Sequence, residues 1–75
     1  MYDQRLFKQR LIALKEDAEL TYGEIAEFAD LSKSTLVSYV YYDKMPSISA
    51  IYALADVFRI SIDYLVGRSE VRGKK

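Results

Sequence analysis

Lys33, Ser34, Val37 and Ser38 put one ammonium group, two hydroxyls and a branched aliphatic side chain into a single short stretch. At 100° per residue, Ser34, Ser38 and Tyr41 fall on one side of a helix, flanked by Lys33 and Val37. Leu36, Tyr39 and Val40 fall on the other side. Such a face carries donors, acceptors and one apolar contact, and nothing that would abstract a proton. Its chemistry is recognition. A lysine can reach a guanine edge or a phosphate, a serine can bond to a base edge, and a valine can pack on a thymine methyl. The plain alternative is that the serines only favour a helix start and that the lysine is solvated.

Composition excludes most other chemistries. The chain has no histidine and no cysteine, which removes the commonest general base and metal ligand together with disulfides and thiolates. No Gly-rich phosphate loop is present. Glu24, Glu27 and Asp30 lie on and just after a helix, whereas calcium ligands come on loops with regular spacing. The expectation is a protein that is not an enzyme and holds no cofactor or metal. The 75 residues, 51% of them apolar, suffice for one small domain. The longest uncharged apolar run, Leu36 to Tyr42, is far short of the roughly 20 residues a membrane span needs. No signal-peptide pattern opens the chain, so the expected location is the cytoplasm, with no membrane partner.

The elements that must position the recognition face are all helical. Phe7, Leu11 and Leu14 recur at helical spacing, which predicts a first amphipathic helix from residue 3 to about 17. Thr21 followed by Glu24 is a capping-box signature for a second helix, with Ile25, Ala26 and Ala29 on one face. Asp30 interrupts, and Ser32 caps a third helix from Lys33 to about Tyr42. Val37, Val40 and the tyrosines there favour strand by local propensity. An isolated strand is not stable, however, and no partner strand is visible. Helix is therefore predicted. Proline disfavours helix at the residue before it, so Asp43-Lys44-Met45-Pro46 is the next break. Ser47 caps a fourth helix with Ile48, Ile51, Leu54, Ala55 and Phe58 along its buried side. Ser61 caps a short fifth helix with Ile62 and Leu65 inward, and Gly67 supplies a left-handed stop. Residues 1–69 make up the domain, and 70–75 read as a frayed basic tail. Two helices this close, with small Ala26 where they cross, suit a helix-turn-helix.

Leu20-Thr21-Tyr22-Gly23-Glu24-Ile25-Ala26, Leu31-Ser32-Lys33-Ser34-Thr35-Leu36 and Pro46-Ser47 resemble the Cro/phage-repressor (Xre-type) helix-turn-helix family. The run Leu54-Ala55-Asp56-Val57-Phe58, continued by Ile60-Ser61-Ile62-Asp63-Tyr64-Leu65, extends the likeness to residues 5–69. The resemblance implies a compact five-helix, lambda-repressor-like DNA-binding domain. Such a domain usually acts as a dimeric regulator, here expected as a repressor of a phage, plasmid or bacterial operon that binds operator DNA through helix three. Three positions depart from the family. Tyr22 stands where a glutamine commonly contacts phosphate. Val40 stands where a glutamate often pairs with a base on helix one, here Lys15. Tyr41-Tyr42-Asp43-Lys44 replaces a basic, Gly-containing turn. Tyr22, Tyr41, Tyr42 and Lys44 are the candidates for contacts to the DNA backbone or a partner. The resemblance also implies a homodimer through the segment Ile60, Ile62, Tyr64 and Val66. Ile60 and Ile62 serve equally to close the monomer core, which leaves Tyr64 and Val66 as dimer candidates.

Charge supplies a competing reading. The formal net charge is zero, and Glu16 to Asp30 carries six acids and no base. Nucleic-acid domains are usually basic. Tyrosine is enriched at protein interfaces. A neutral, Tyr-rich face beside an acidic block would suit an antirepressor, a module that binds a partner repressor protein and masks its DNA-reading face.

Overall fold

The computed structural model describes residues 3–72, and in them the chain forms five helices. They are α1 (Gln4–Ala18), α2 (Tyr22–Ala29), α3 (Lys33–Tyr41), α4 (Ile48–Phe58) and α5 (Ile62–Leu65). Every one begins at a short polar side chain that satisfies an otherwise unpaired amide. Asp3 accepts from the amides of Arg5 and Leu6. Ser32, Ser47 and Ser61 accept from the amides three residues on, Thr35, Ala50 and Tyr64, at 3.0–3.1 Å. At α2 the box is reciprocal: Thr21 Oγ1 accepts from the Glu24 amide at 3.1 Å, and the Glu24 carboxylate accepts from the Thr21 amide at 2.8 Å. Thr21→Ala removes one half of that box. It is expected to lower the unfolding free energy by about 1 kcal/mol in a urea titration.

The helix ends follow a rule that glycine counting does not reveal. Glu19, Asp30 and Arg59, none of them glycine, take left-handed φ values of 58°, 59° and 58°. In each case the next amide reaches back five residues: Leu20 to Lys15, Leu31 to Ala26 and Ile60 to Ala55. These are Schellman closures, and each places an apolar residue just beyond the stop, where it packs against the helix it ended. Leu20 and Leu31 pack on the core and Ile60 is buried in it.

That core takes Phe7, Leu11 and Leu14 from α1, Ile25, Ala26 and Ala29 from α2, and Leu36, Tyr39 and Val40 from α3. Ala50, Leu54 and Ala55 of α4 and Leu65 of α5 complete it. α2 lies against both α3 and α4, while α1 closes over α3 and α5. The Phe7 and Tyr39 rings meet edge to face at 6.2 Å, which fastens α3 to α1.

Several expectations require correction. Ile48, expected on the buried side of α4, is 74% exposed, and Ala50 is buried in the first turn of α4. The buried stripe of α4 runs through Ala50, Leu54 and Ala55, with Ile51 and Phe58 half-buried. Round the helix Ile48 falls about 20° beyond Ala55, at the edge of that stripe, and it stands two turns earlier, at the exposed start of α4. Ile62 is half-buried instead of fully inward. α3 is helical as expected, against its strand propensity, and ends at Tyr41, one residue before the expected limit. The chain also stays on the body beyond residue 69. The Ser61 amide donates to the Arg72 carbonyl at 2.7 Å, and the Arg72 guanidinium pairs with Asp17 at 3.1 Å. The remaining tail residues, Lys74 and Lys75 among them, lie outside the described residues.

Gly67 has φ +89°, and a Cβ there would come within 3.1 Å of the side chains of Asp3 and Leu6. Gly67→Ala therefore meets both a backbone and a steric penalty. A left-handed non-glycine residue alone costs about 1–2 kcal/mol. In a domain of this size each 1 kcal/mol lowers the melting temperature by about 4–8 °C, so calorimetry should find a drop of about 5 °C or more.

Candidate nucleic-acid interface

α2 and α3 are joined by Asp30, Leu31 and Ser32, and the geometry of this turn fixes their crossing. Asp30 turns the chain in the left-handed region, Leu31 tucks onto the core, and Ser32 starts α3. Ala26 is 2% exposed, and its carbonyl accepts from the Leu31 amide at 2.8 Å. A side chain larger than alanine would force the two helices apart at this point. Leu36 at 0%, Tyr39 at 3% and Val40 at 4% exposure anchor one face of α3. Burial, the larger effect, raises the Tyr39 phenol, against a hydrogen bond with the Ser47 backbone that lowers it.

The outward face holds the residues expected there. Lys33 is exposed, and its stem lies against Gly23 at the start of α2. Its ammonium group has no ion pair or hydrogen bond among the described residues. Ser34 is exposed beside Ser32, with 3.3 Å between the hydroxyls. Val37 and Ser38 are half-buried. Ser38 Oγ donates to the Ser34 carbonyl at 2.9 Å. Its proton is thus committed inside the helix, and only its lone pairs remain to accept a bond from outside.

Tyr22 and Tyr41 come together, although they stand at the two ends of the motif in sequence. Their rings meet edge to face at 6.1 Å. Burial first, then the hydrogen bond with Tyr41, raises the Tyr22 phenol. Lys15 Nζ lies 4.8 Å over the same ring. The lysine left without a carboxylate by Val40 therefore rests on an aromatic face, which attracts a cation. Tyr42 and Lys44 are exposed on the turn after α3.

One functional feature of that turn escaped the sequence reading. Asp43 adopts φ 55°, and the amides of Tyr42 and Lys44 both donate to the Ser38 carbonyl, at 3.0 and 3.1 Å. The Asp43 carboxylate pairs with Lys8 at 3.0 Å, and its carbonyl accepts from Gln4 Nε2. The end of α3 is thereby tied to α1. The available signal was that Asp tolerates the left-handed region better than most residues. It takes the place that a glycine would hold.

The residues expected at a dimer surface are engaged largely within their own chain. Val66 is 7% exposed and Ile60 8% exposed within their own chain. Tyr64 is half-buried, with the Arg10 guanidinium 4.2 Å from its ring centroid and that of Arg72 at 5.7 Å. Arg10 also donates to the carbonyls of Tyr64 and Ser69 at 2.5 and 2.7 Å. These contacts fasten α5 and the following segment to α1, leaving no open apolar surface at Val66.

A helix-turn-helix family model matches residues 11–65. The chain is 29% identical over 65 residues to an uncharacterized HTH-type transcriptional regulator, YobD, of Bacillus subtilis (strain 168). That match covers 87% of this chain and 58% of the relative, so the chain spans little more than half the relative's length. A crystal structure of a transcriptional regulator from Listeria innocua superposes with a TM-score of 0.74 at 30% identity. It covers 92% of this chain and 64% of that one. The antirepressor reading finds no support in these relatives. The chain belongs to the Cro/phage-repressor (Xre) type of the helix-turn-helix family.

Proposed function

We propose that this chain regulates transcription by binding duplex operator DNA, with α3 in the major groove and α2 across the backbone. The observation that carries this reading is the outward face of α3. An exposed, unpaired Lys33 stands beside Ser34, Val37 and Ser38, on a helix held rigidly from behind by Leu36, Tyr39 and Val40. Lys33 reaches a guanine edge or a phosphate, Ser34 bonds to a base edge, and Val37 packs on a thymine methyl. Ser38, with its proton committed, accepts from the amino group of adenine or cytosine. Tyr22, Tyr41, Tyr42 and Lys44 flank these as backbone contacts. The amides at the starts of α2 and α3 add phosphate binding without side-chain charge. Two copies would occupy half-sites about 34 Å apart, one duplex turn. Such occupancy acts most simply by occluding a promoter, in the cytoplasm where the DNA lies.

Selection from randomised duplex DNA at low salt tests the reading, followed by a salt titration of the winning sequence. A palindromic motif is expected. Lys33 and Lys44 give each copy two exposed cations at the proposed face, so a pair of copies neutralises about four phosphates. The slope of log K against log salt should then lie between about −2 and −4, shallow for a DNA-binding protein. If folded protein enriches no sequence, the reading fails. A slope steeper than about −7 would place the phosphate contacts on cations outside this face.

A further inference from the structure

We infer that Asp43 is a positioning residue for DNA binding: tied to α1 by Lys8 and Gln4, it sets where the turn after α3 presents Tyr42 and Lys44 to the duplex. The inference rests on the proposed function, which places those two residues against the DNA backbone. Among the described residues, four helices end at or next to a left-handed residue that is not glycine: Glu19, Asp30, Asp43 and Arg59. After three of them an apolar residue returns to the core, as Leu20, Leu31 and Ile60 do. After Asp43 the next residue is Lys44, and positions 41–45 are all exposed. Polar contacts fasten this turn instead. Lys8 Nζ lies 3.0 Å from the Asp43 carboxylate, and Gln4 Nε2 donates to the Asp43 carbonyl. Both partners stand on α1, one helical turn apart.

The choice of a carboxylate fits this role. Glycine or asparagine would also supply the left-handed backbone. Neither would set a negative charge beside Lys44, where it opposes the approach of phosphates. What the carboxylate adds over either is the pair with Lys8. Stability does not account for that pair, because the Asp43 side chain is 69% exposed and the Lys8 side chain 32%. An ion pair this open shifts an equilibrium by about fivefold at most. Such a factor matters little to a fold built round a separate core. It is enough to favour one placement of a short exposed turn over several, and a turn ordered beforehand loses less freedom on binding.

The test removes the pair without changing the net charge. Lys8→Met combined with Asp43→Asn deletes one cation and one anion together, so their separate effects on DNA largely cancel. Gln4→Ala, also neutral, removes the second tie. In the free protein the Lys44 amide bonds to the Ser38 carbonyl. Its hydrogen exchange should quicken about twofold to fivefold in both variants, more than that of the core amides of α4. Affinity for the selected duplex should fall by a similar factor of about two to five. Lys44→Gln separates positioning from general loosening. It should weaken the wild type more than it weakens the untethered variants, whose Lys44 no longer starts in place. Unchanged exchange at Lys44 would overturn the inference whether or not DNA binds. So would faster exchange with unchanged affinity, or an equal loss from Lys44→Gln in both backgrounds. A wild type that selects no duplex would instead sink the proposed function, and the positioning role with it.

Discussion

Lys33→Glu is expected to weaken binding to the selected duplex by about 100-fold or more, with no change in melting temperature. A good contact from a cationic side chain to guanine contributes about 1–3 kcal/mol of discrimination, a factor of roughly 5 to 150. Reversing the charge removes that contact and adds repulsion from the neighbouring phosphates, which at low salt is scarcely screened. The fold is insulated from the change, because Lys33 is exposed and makes no ion pair or hydrogen bond among the described residues. Lys33→Ala then identifies the contacted group. If the lysine reads a base, affinity falls and specificity relaxes at one position of the site. If it holds a phosphate, affinity falls evenly across sequences and the salt slope becomes shallower by about two, one for each copy on the site. An affinity unchanged in Lys33→Glu would move the base-reading face elsewhere. Loss in Tyr41→Ala or Tyr42→Ala without loss in Lys33→Glu would instead favour binding led by the aromatic turn.

The positions of the caps and the helical period were legible because they depend on near neighbours. Thr21 with Glu24, and Ser32, Ser47 and Ser61 alone, start their helices as their chemistry predicts. The outward set Lys33, Ser34 and Ser38 followed from the same arithmetic applied to α3. What stayed hidden depends on residues far apart in sequence. Ile48 faces solvent although it lies within about 20° of buried Ala55 round the helix, because packing against other elements, and no pattern within α4, decides where along the helix the buried stripe begins. Lys15 finds the Tyr22 ring only once α1 and α2 have packed. Asp43 meets Lys8 and Gln4 across 35 and 39 residues of chain. The burial of Val66 and the engagement of Tyr64 rest on Asp3 and Arg10, both distant in sequence, and on Arg72 in the segment that follows. The three left-handed helix ends were hidden for another reason. Their marker is the apolar residue that follows each stop, and a search for glycine passes over it.

Leu36→Ala should be the most damaging single change to α3, and its effect on DNA binding should be of a different kind from that of Lys33→Glu. Leu36 is fully buried at the centre of the face that α3 turns towards the core. Truncating a buried leucine to alanine costs about 2–5 kcal/mol, through lost burial and the cavity left behind. At the usual margin per residue, 75 residues carry a net stability of only about 4–11 kcal/mol. The variant should therefore melt about 8–40 °C lower and populate unfolded chain near physiological temperature. Its apparent affinity at 37 °C falls because fewer molecules are folded, while those that are folded still present Lys33, Ser34, Val37 and Ser38. Cooling, or a saturating excess of operator duplex that binds only the folded form, should restore binding close to wild type. Lys33→Glu does not recover on cooling, and it saturates only at duplex concentrations about 100-fold higher than the wild type needs. Titrations of both variants at two temperatures would separate the two mechanisms. A Leu36→Ala protein that is fully folded when cold and still fails to bind would mean that the mutation moves α3 itself. The recognition face would then depend on the fit at Leu36 as well as on the outward side chains.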